Sequence, residues 1–144
     1  MTKIIVFTDG ASRGNPGPAS LGVIIADSRG AAQKEYSETI GKATNNEAEY
    51  QAVIFALKKI KALVGKAKIK NAEVLIKSDS ELMVSQLSGK YKIKEPNIQK
   101  LFIQVWNLKI DYKKVDFQLI PREQNALADK LANQALDAET QKLF

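Results

Sequence analysis

"VFTDGASRGNPGP", Val6 to Pro18, runs an apolar segment into an aspartate and then into three glycines, an asparagine and two prolines. How Asp9 is read decides the fold. Asp-Gly is the strongest short hairpin signal, so Asp9-Gly10 is open to a reading as a turn between two short strands. The other reading is a carboxylate held at the end of a strand, at the rim of a sheet. The residues on either side of this stretch decide between the two.

Upstream and downstream of it, residues 3–9, 20–26 ("SLGVIIA") and 32–40 ("AQKEYSETI") read as strands, with the glycine loop and Ser28-Arg29-Gly30 as their connections. "NNEAEYQAVIFALKKIKALV" (45–64) is helical, with Val53, Ala56/Leu57, Ile60 and Leu63/Val64 at a 3.6-residue period. "AEVLIKSD" (72–79) is a strand that runs into a short helix, "SELMVSQL", stopped by Gly89. Pro96 opens a helix with the stripe Ile98, Leu101/Phe102, Val105, Leu108, with Trp106 expected in the core. "VDFQLIP" is a strand and "NALADKLANQAL" a last helix. The order βββ-α-β-α-α-β-α predicts an α/β fold: an antiparallel meander continued by parallel strands, with helices on both faces. Such sheets bind ligands at the carboxyl ends of their parallel strands. Repeats, low-complexity tracts and a linker are absent from the sequence, so one domain over 1–144 is expected.

Composition narrows the chemistry. With 44% apolar and 26% charged residues the chain is globular in character, and no apolar run is long enough to span a membrane. The first residues, "MTKIIVFTDG", are too short and strand-like for a signal peptide, and zero cysteines fit a reducing cytoplasm. The lack of both histidine and cysteine removes Ser-His-Asp and Cys-His nucleophiles and the usual zinc, copper and iron-sulfur sites. A metal here must be held by oxygens, which selects magnesium, manganese or calcium. The net charge is +6, with basic clusters at "KKIKALVGKAKIK", "KYKIK" and "KIDYKK". These clusters read first as solvated surface and second as a phosphate-tracking face for nucleic acid, and charge alone does not decide between them.

Two strands end in aspartate, at Asp9 and Asp79. Placed side by side in parallel, they bring both carboxylates to one rim. Each also has an innocent reading: Asp9 serves the Gly10 turn, and Asp79 or Ser80 caps the next helix. Glu49 is harder to explain away. Val53, Ala56 and Ile60 follow it by four, seven and eleven positions, all within about 40° on the helical wheel. It therefore lies on the buried stripe, where an unpaired carboxylate costs several kcal/mol. Glu47, roughly 160° away around the helix, is expected to face solvent. Asp129 shares a face with Ala132 and Leu136 near the start of the last helix, where a favourable dipole is an alternative explanation. Four acids at the inner ends of their elements, with no lysine interspersed, repel one another unless cations lie between them. Two magnesium ions in such a cluster can hold a phosphodiester, activate a water and stabilise a leaving oxygen without any histidine.

"FTDGASRGNPGPASLGVII", "TNNEAEYQAVIFAL", "IKSDSELMVSQLSG" and "PREQNALADKLAN" together resemble type 1 ribonuclease H in its compact bacterial and archaeal-like form. The resemblance covers nearly the whole chain, with the blocks in the family's order. It implies a ribonuclease H-like, five-stranded mixed sheet and cleavage of the RNA strand of an RNA/DNA hybrid, leaving 5′-phosphate and 3′-hydroxyl ends. The family's catalytic, metal-binding acids fall on Asp9, Glu49, Asp79 and Asp129. Asp9 is then shared by two Mg2+ ions bound with substrate. Asp129 serves the ion that activates water, and Glu49 with Asp79 the ion facing the leaving group. Mn2+ is the expected substitute. Asn15, Asn46 and, more weakly, Gln51 match the family's minor-groove readers, where only the 2′-hydroxyl tells RNA from DNA. Thr44 and Asn45 match a pocket for a DNA-strand phosphate just before a helix N-terminus, although "TNN" is also a capping sequence. Gly10, Gly14 and Gly17 are expected to let the backbone approach the duplex. A cytoplasmic monomer, with no protein partner or membrane, completes the expectation.

Two features depart from the family pattern. Many members carry a loop histidine before the last acid; here Arg122 stands at about that place. Arginine offers charge to the scissile phosphate but is no base at neutral pH. Some members also carry a long basic handle, which here is only "SGKYKIKEP". The rival reading from another class is a catalytically silent hybrid-binding module of the same fold, which a missing acid would favour. A transposase-type nuclease shares the architecture. A sugar-kinase-like ATPase half lacks its second domain, and an Asp-x-Asp phosphatase fails because Gly10-Ala11 follows Asp9.

Overall fold

The computed structural model describes residues 2–29 and 33–142. Five strands form one mixed sheet in the order β3-β2-β1-β4-β5. Strands β1 (Thr2–Ser12), β2 (Gly17–Asp27) and β3 (Gln33–Ala43) pair antiparallel, and β4 (Ala72–Ser78) and β5 (Lys114–Leu119) extend the sheet in parallel from β1. Helices α1 (Asn45–Val64) and α4 (Pro96–Ile110) cover one face, α5 (Ala126–Lys142) covers the other, and α3 (Glu81–Leu87) follows β4. Two short turns were not anticipated: α2 (Lys66–Ile69) and a 3-10 turn at Arg122–Asn125 leading into α5. Among the described residues no helix is long and apolar enough to cross a membrane.

The two faces follow from strand periodicity. Ile4, Val6 and Val23 pack with Val53, Leu57, Ile98 and Val105, whereas Phe7 and Ile24 turn to the other side and meet Ala128 and Leu131. Covered on both faces, β2 is buried continuously from Ala19 to Ile25, and its sequence there is apolar apart from Ser20. At the edge, β3 is mostly exposed and carries Lys34, Glu35, Glu38 and Lys42, charges that discourage pairing with another chain.

Local signals account for the helix ends. Thr44 and Glu47 close a capping box on α1: the Thr44 hydroxyl accepts from the Glu47 N–H at 3.2 Å, and the Glu47 carboxylate accepts from the Thr44 N–H at 2.8 Å. Such an arrangement stabilises a helix start by about 1 kcal/mol. Ser80, rather than Asp79, caps α3, accepting from the Met83 N–H at 3.2 Å. Ser88 is the C-cap of α3 and Gly89 follows at φ 79°, the left-handed position just past a helix end.

Three expectations need correction. The strands do not stop at Asp9 or start at Ser20: β1 continues to Ser12 against Ala19 of β2, leaving only residues 13–16 as connection, so Asp9-Gly10 is not a turn. The cross-strand ladder overrides the local hairpin preference of Asp-Gly. Trp106 is not core; it is 53% exposed, stacked beside Phe102 with the Lys109 ammonium over its ring. One position past buried Val105, it is turned about 100° out of the stripe. Glu47 is half-buried in its capping box instead of free in solvent. Residue 32, expected to open the third strand, and Gly30 of the expected turn lie outside the described residues.

Candidate active site

The β1–β4 register pairs Ile4 with Val74 and Phe7 with Lys77, and the same offset carried two residues further brings Asp9 level with Asp79. The two parallel strands thus deliver both carboxylates to one rim of the sheet. Glu49 arrives from the first turns of α1, and its carboxylate accepts the Gly10 N–H at 2.5 Å. The glycine is required by close approach: a Cβ on Gly10 would lie 2.2 Å from the Ala48 carbonyl carbon and 2.3 Å from the Glu49 nitrogen. Gly10 therefore admits α1, not the duplex. One carboxylate oxygen each from Asp9, Glu49 and Asp79 lies within 4.8 Å of the others.

Asp129 reaches the same place from the opposite face of the sheet. Its side chain is exposed, at the edge of the α5 stripe and not on it, and it stands outside the group formed by Asp9, Glu49 and Asp79, yet near enough for its charge to raise the Asp9 carboxyl. What seats α5 is a set of small residues on the sheet. Gly22 pairs with Asp9 across the antiparallel ladder, and a Cβ there would stand 2.1 Å from the Ala128 oxygen. Ser20 donates to the Ala132 carbonyl at 2.5 Å, and Ser37 donates to the Leu131 carbonyl. Nothing local in "SLGVII" marks Gly22 for this role.

The electrostatics are those of buried negative charge that is only partly compensated. Burial first, then the charges of Asp79 and Asp129, push the Asp9 carboxyl up to about 8, opposed by the Arg122 guanidinium. Burial and then the Asp9 charge hold the Glu49 carboxyl well above the usual range, against the stabilising Gly10 N–H. Arg122 is almost fully exposed, with its Nε 3.6 Å from the Asp79 carboxylate. Asn125, which the sequence reading passed over, is buried beneath the acids: its amide donates to the Thr8 carbonyl at 2.8 Å and to the Asp79 carboxylate at 3.0 Å.

The donor set fits a divalent ion. Two oxygens sharing one magnesium, manganese or calcium ion at 2.0–2.6 Å are separated by at most about 5 Å, the spacing found for Asp9, Glu49 and Asp79. All donors are oxygens, and burial together with mutual repulsion raises the proton affinities of Asp9 and Glu49, a repulsion that a cation would relieve.

Beside the acids opens a cleft of about 350 Å³, whose walls include Asn15, Thr44, Asn45, Asn46 and Glu49. Asn15 accepts the Asn45 N–H at 3.0 Å, and Asn45 accepts the Ser12 N–H at 3.2 Å, which ties the 13–16 connection to the start of α1. The Asn46 amide donates to Gln86 at 3.5 Å, and Tyr50 donates to the same Gln86 oxygen at 2.9 Å. Gln51 is not among the residues lining this cleft. Lys90, Tyr91, Lys92 and Lys94 are exposed after α3, with the Tyr91 hydroxyl donating to Glu81 at 3.1 Å.

The family described as reverse transcriptase-like matches residues 7–135. A bifunctional protein of Mycobacterium tuberculosis is 38% identical over 141 residues, which are 96% of this chain and 37% of that protein. Ribonuclease HI of Halobacterium salinarum is 36% identical over 94% of this chain and 65% of its own length. The chain thus spans only about a third of the mycobacterial relative's length and just under two thirds of the halobacterial one's. Among solved structures, LC11 RNase H1, isolated from compost by a metagenomic approach, is 44% identical with a TM-score of 0.88, covering 97% of this chain and 99% of that one. A second LC11 RNase H1 structure, in complex with an RNA/DNA hybrid, aligns at 42% identity and a TM-score of 0.86, covering 95% and 99%.

Proposed function

This chain belongs to the type 1 ribonuclease H family, and we propose that it hydrolyses the RNA strand of RNA/DNA hybrids endonucleolytically, leaving 5′-phosphate and 3′-hydroxyl ends. The observation that carries the reading is the convergence of one carboxylate oxygen each from Asp9, Glu49 and Asp79 to within 4.8 Å, at the rim where the parallel pairing of β1 and β4 ends. Asp9, Glu49, Asp79 and Asp129 would hold two divalent ions, Mg2+ with Mn2+ as substitute. Bound there, the ions supply a water made nucleophilic on one side of the phosphate and charge stabilisation of the leaving oxygen on the other. Asp9, carried on the central strand of the sheet, would serve both ions.

The chain's own residues position the substrate. Asn15 and Asn46, at the cleft beside Glu49, would meet the minor groove, where the 2′-hydroxyl distinguishes RNA. Gln51, outside that cleft, is the weaker candidate for the same role. Thr44 and Asn45, at the N-terminus of α1, would take a DNA-strand phosphate. Arg122 would lend charge to the scissile phosphate, and Lys90, Lys92 and Lys94 would follow the backbone beyond it. The whole of 1–144 would act as one domain, as a cytoplasmic monomer.

The test is cleavage of a hybrid labelled on its RNA strand, with Mg2+ and Mn2+ side by side, against single strands and DNA duplex. Metal-dependent cleavage of the hybrid alone is expected. Cleavage that persists in excess EDTA overturns the metal reading. Tight binding of the hybrid without cleavage in either metal makes the protein a silent hybrid-binding module.

A further inference from the structure

Three of the four elements that carry the acids meet at one buried amide. Asn125 ends the 3-10 turn before α5, the helix of Asp129. Its Nδ2 donates one hydrogen bond to the carbonyl of Thr8, the residue preceding Asp9 in β1, and a second to the carboxylate of Asp79 at the end of β4. The residue is 2% exposed, and its Oδ1 is buried with no hydrogen-bond partner. Burying an amide with an orphaned oxygen costs free energy, so packing alone gives no reason to prefer it to an apolar residue. An amide also offers what no carboxylate or hydroxyl can, two donors on one atom. Both are used here on acceptors that belong to the site.

We infer that Asn125 is a positioning residue for metal binding: it orients the Asp79 carboxylate and locks the start of α5 to the strand that presents Asp9. The inference rests on the ribonuclease reading above. Asn125 donates to one Asp79 oxygen while Arg122 stands beside the other, so Asn125 sets which edge of the carboxylate faces Asp9 and Glu49. Groups that orient metal ligands through hydrogen bonds change metal affinity or activity by roughly ten- to a hundredfold when removed.

The experiment compares the wild-type chain with Asn125→Ala and with Asn125→Asp, which keeps the shape but exchanges the donors for acceptors. Free Mn2+ is counted by its electron paramagnetic resonance in titrations without substrate, and cleavage of the hybrid is followed at rising metal concentration. For Asn125→Ala we expect Mn2+ affinity weaker by roughly ten- to a hundredfold. Its kcat should fall similarly at low metal and recover in part at high metal, with the KM for hybrid close to wild type. Asn125→Asp should be at least as impaired in kcat. If the alanine variant loses its cooperative melt, Asn125→Ser, which keeps one donor, replaces it with the same expectation at a smaller factor. Wild-type Mn2+ affinity in the alanine or serine variant, or wild-type kcat in the aspartate variant, overturns the inference. A wild type that neither binds Mn2+ nor cleaves the hybrid in any metal overturns the ribonuclease reading instead.

Discussion

Gly22 stands directly across the β1–β2 ladder from Asp9, and the carbonyl of Ala128 occupies the space a side chain would need, 2.1 Å from where its Cβ would be. The residue facing the central acid is thus chosen by the helix packed above it. Gly10 does the same for α1 on the adjoining position of β1.

Gly22→Ala should therefore lift α5 from the sheet and carry Asp129 away from Asp9. Overpacking against backbone costs about 1–3 kcal/mol, which predicts a lower melting temperature together with a loss of kcat larger than the loss of stability explains. Melting curves and steady-state kinetics on the same preparation check this. Unchanged kcat would mean that Asp129 tolerates displacement.

Glu49 and Glu47, two positions apart on α1, should respond oppositely to the same change. Glu49→Gln keeps an acceptor for the Gly10 N–H but removes charge from the acid group, so activity in Mg2+ should drop by orders of magnitude. The metal-free protein should fold as well or better, because repulsion is relieved. Glu47→Gln retains the capping-box acceptor for the Thr44 N–H and should be nearly silent in both respects. Glu47→Ala should lose about 1 kcal/mol of stability with little change in kcat.

Without metal, stability should fall as pH rises from about 4 to 8. In the folded protein Asp9 holds its proton up to about 8, against an ordinary value of 3.8. Between those values the folded state binds more protons than the unfolded one, so raising the pH favours unfolding. The contribution is complete below pH 3.8 and gone above pH 8, and Glu49 shifts in the same direction. Melting temperatures in EDTA across this range should show the decline, Mg2+ should reverse it near pH 8, and Asp9→Asn should flatten it. A metal-free melting temperature that climbs between pH 5 and 8 would contradict the assignment.

Arg122→Ala should slow turnover by roughly ten- to a hundredfold, the scale of one charged contact to a phosphate. The guanidinium is exposed and 3.6 Å from Asp79, so its removal should leave the fold intact. Wild-type rates in that variant would place Arg122 outside the reaction.

Much of this molecule is written locally. The helix at 45–64 follows from its apolar period and a Thr-x-x-Glu start, the one at 96–110 from Pro96, and the end of the helix at 81–87 from Gly89. Aspartates at the ends of apolar runs, Asp9 and Asp79, and a glutamate on the buried face of α1 were visible because a charged residue at an apolar period is an anomaly at short range. Asp9-Gly10 was open to a turn reading because that dipeptide has a local preference, and only pairing with β2 out to Ser12↔Ala19 overrules it. Gly22, Ser20 and Ser37 look unremarkable until α5, more than 90 residues later, settles on them. Trp106 reads as core by composition and is exposed by one step of helix phase. Asn125 reaches Thr8 across 117 residues of sequence. Amino-acid order determines what each segment prefers by itself, through periodicity and capping. Which backbones touch, and hence which glycine, serine or asparagine is indispensable, is decided only when distant segments exclude water from between them.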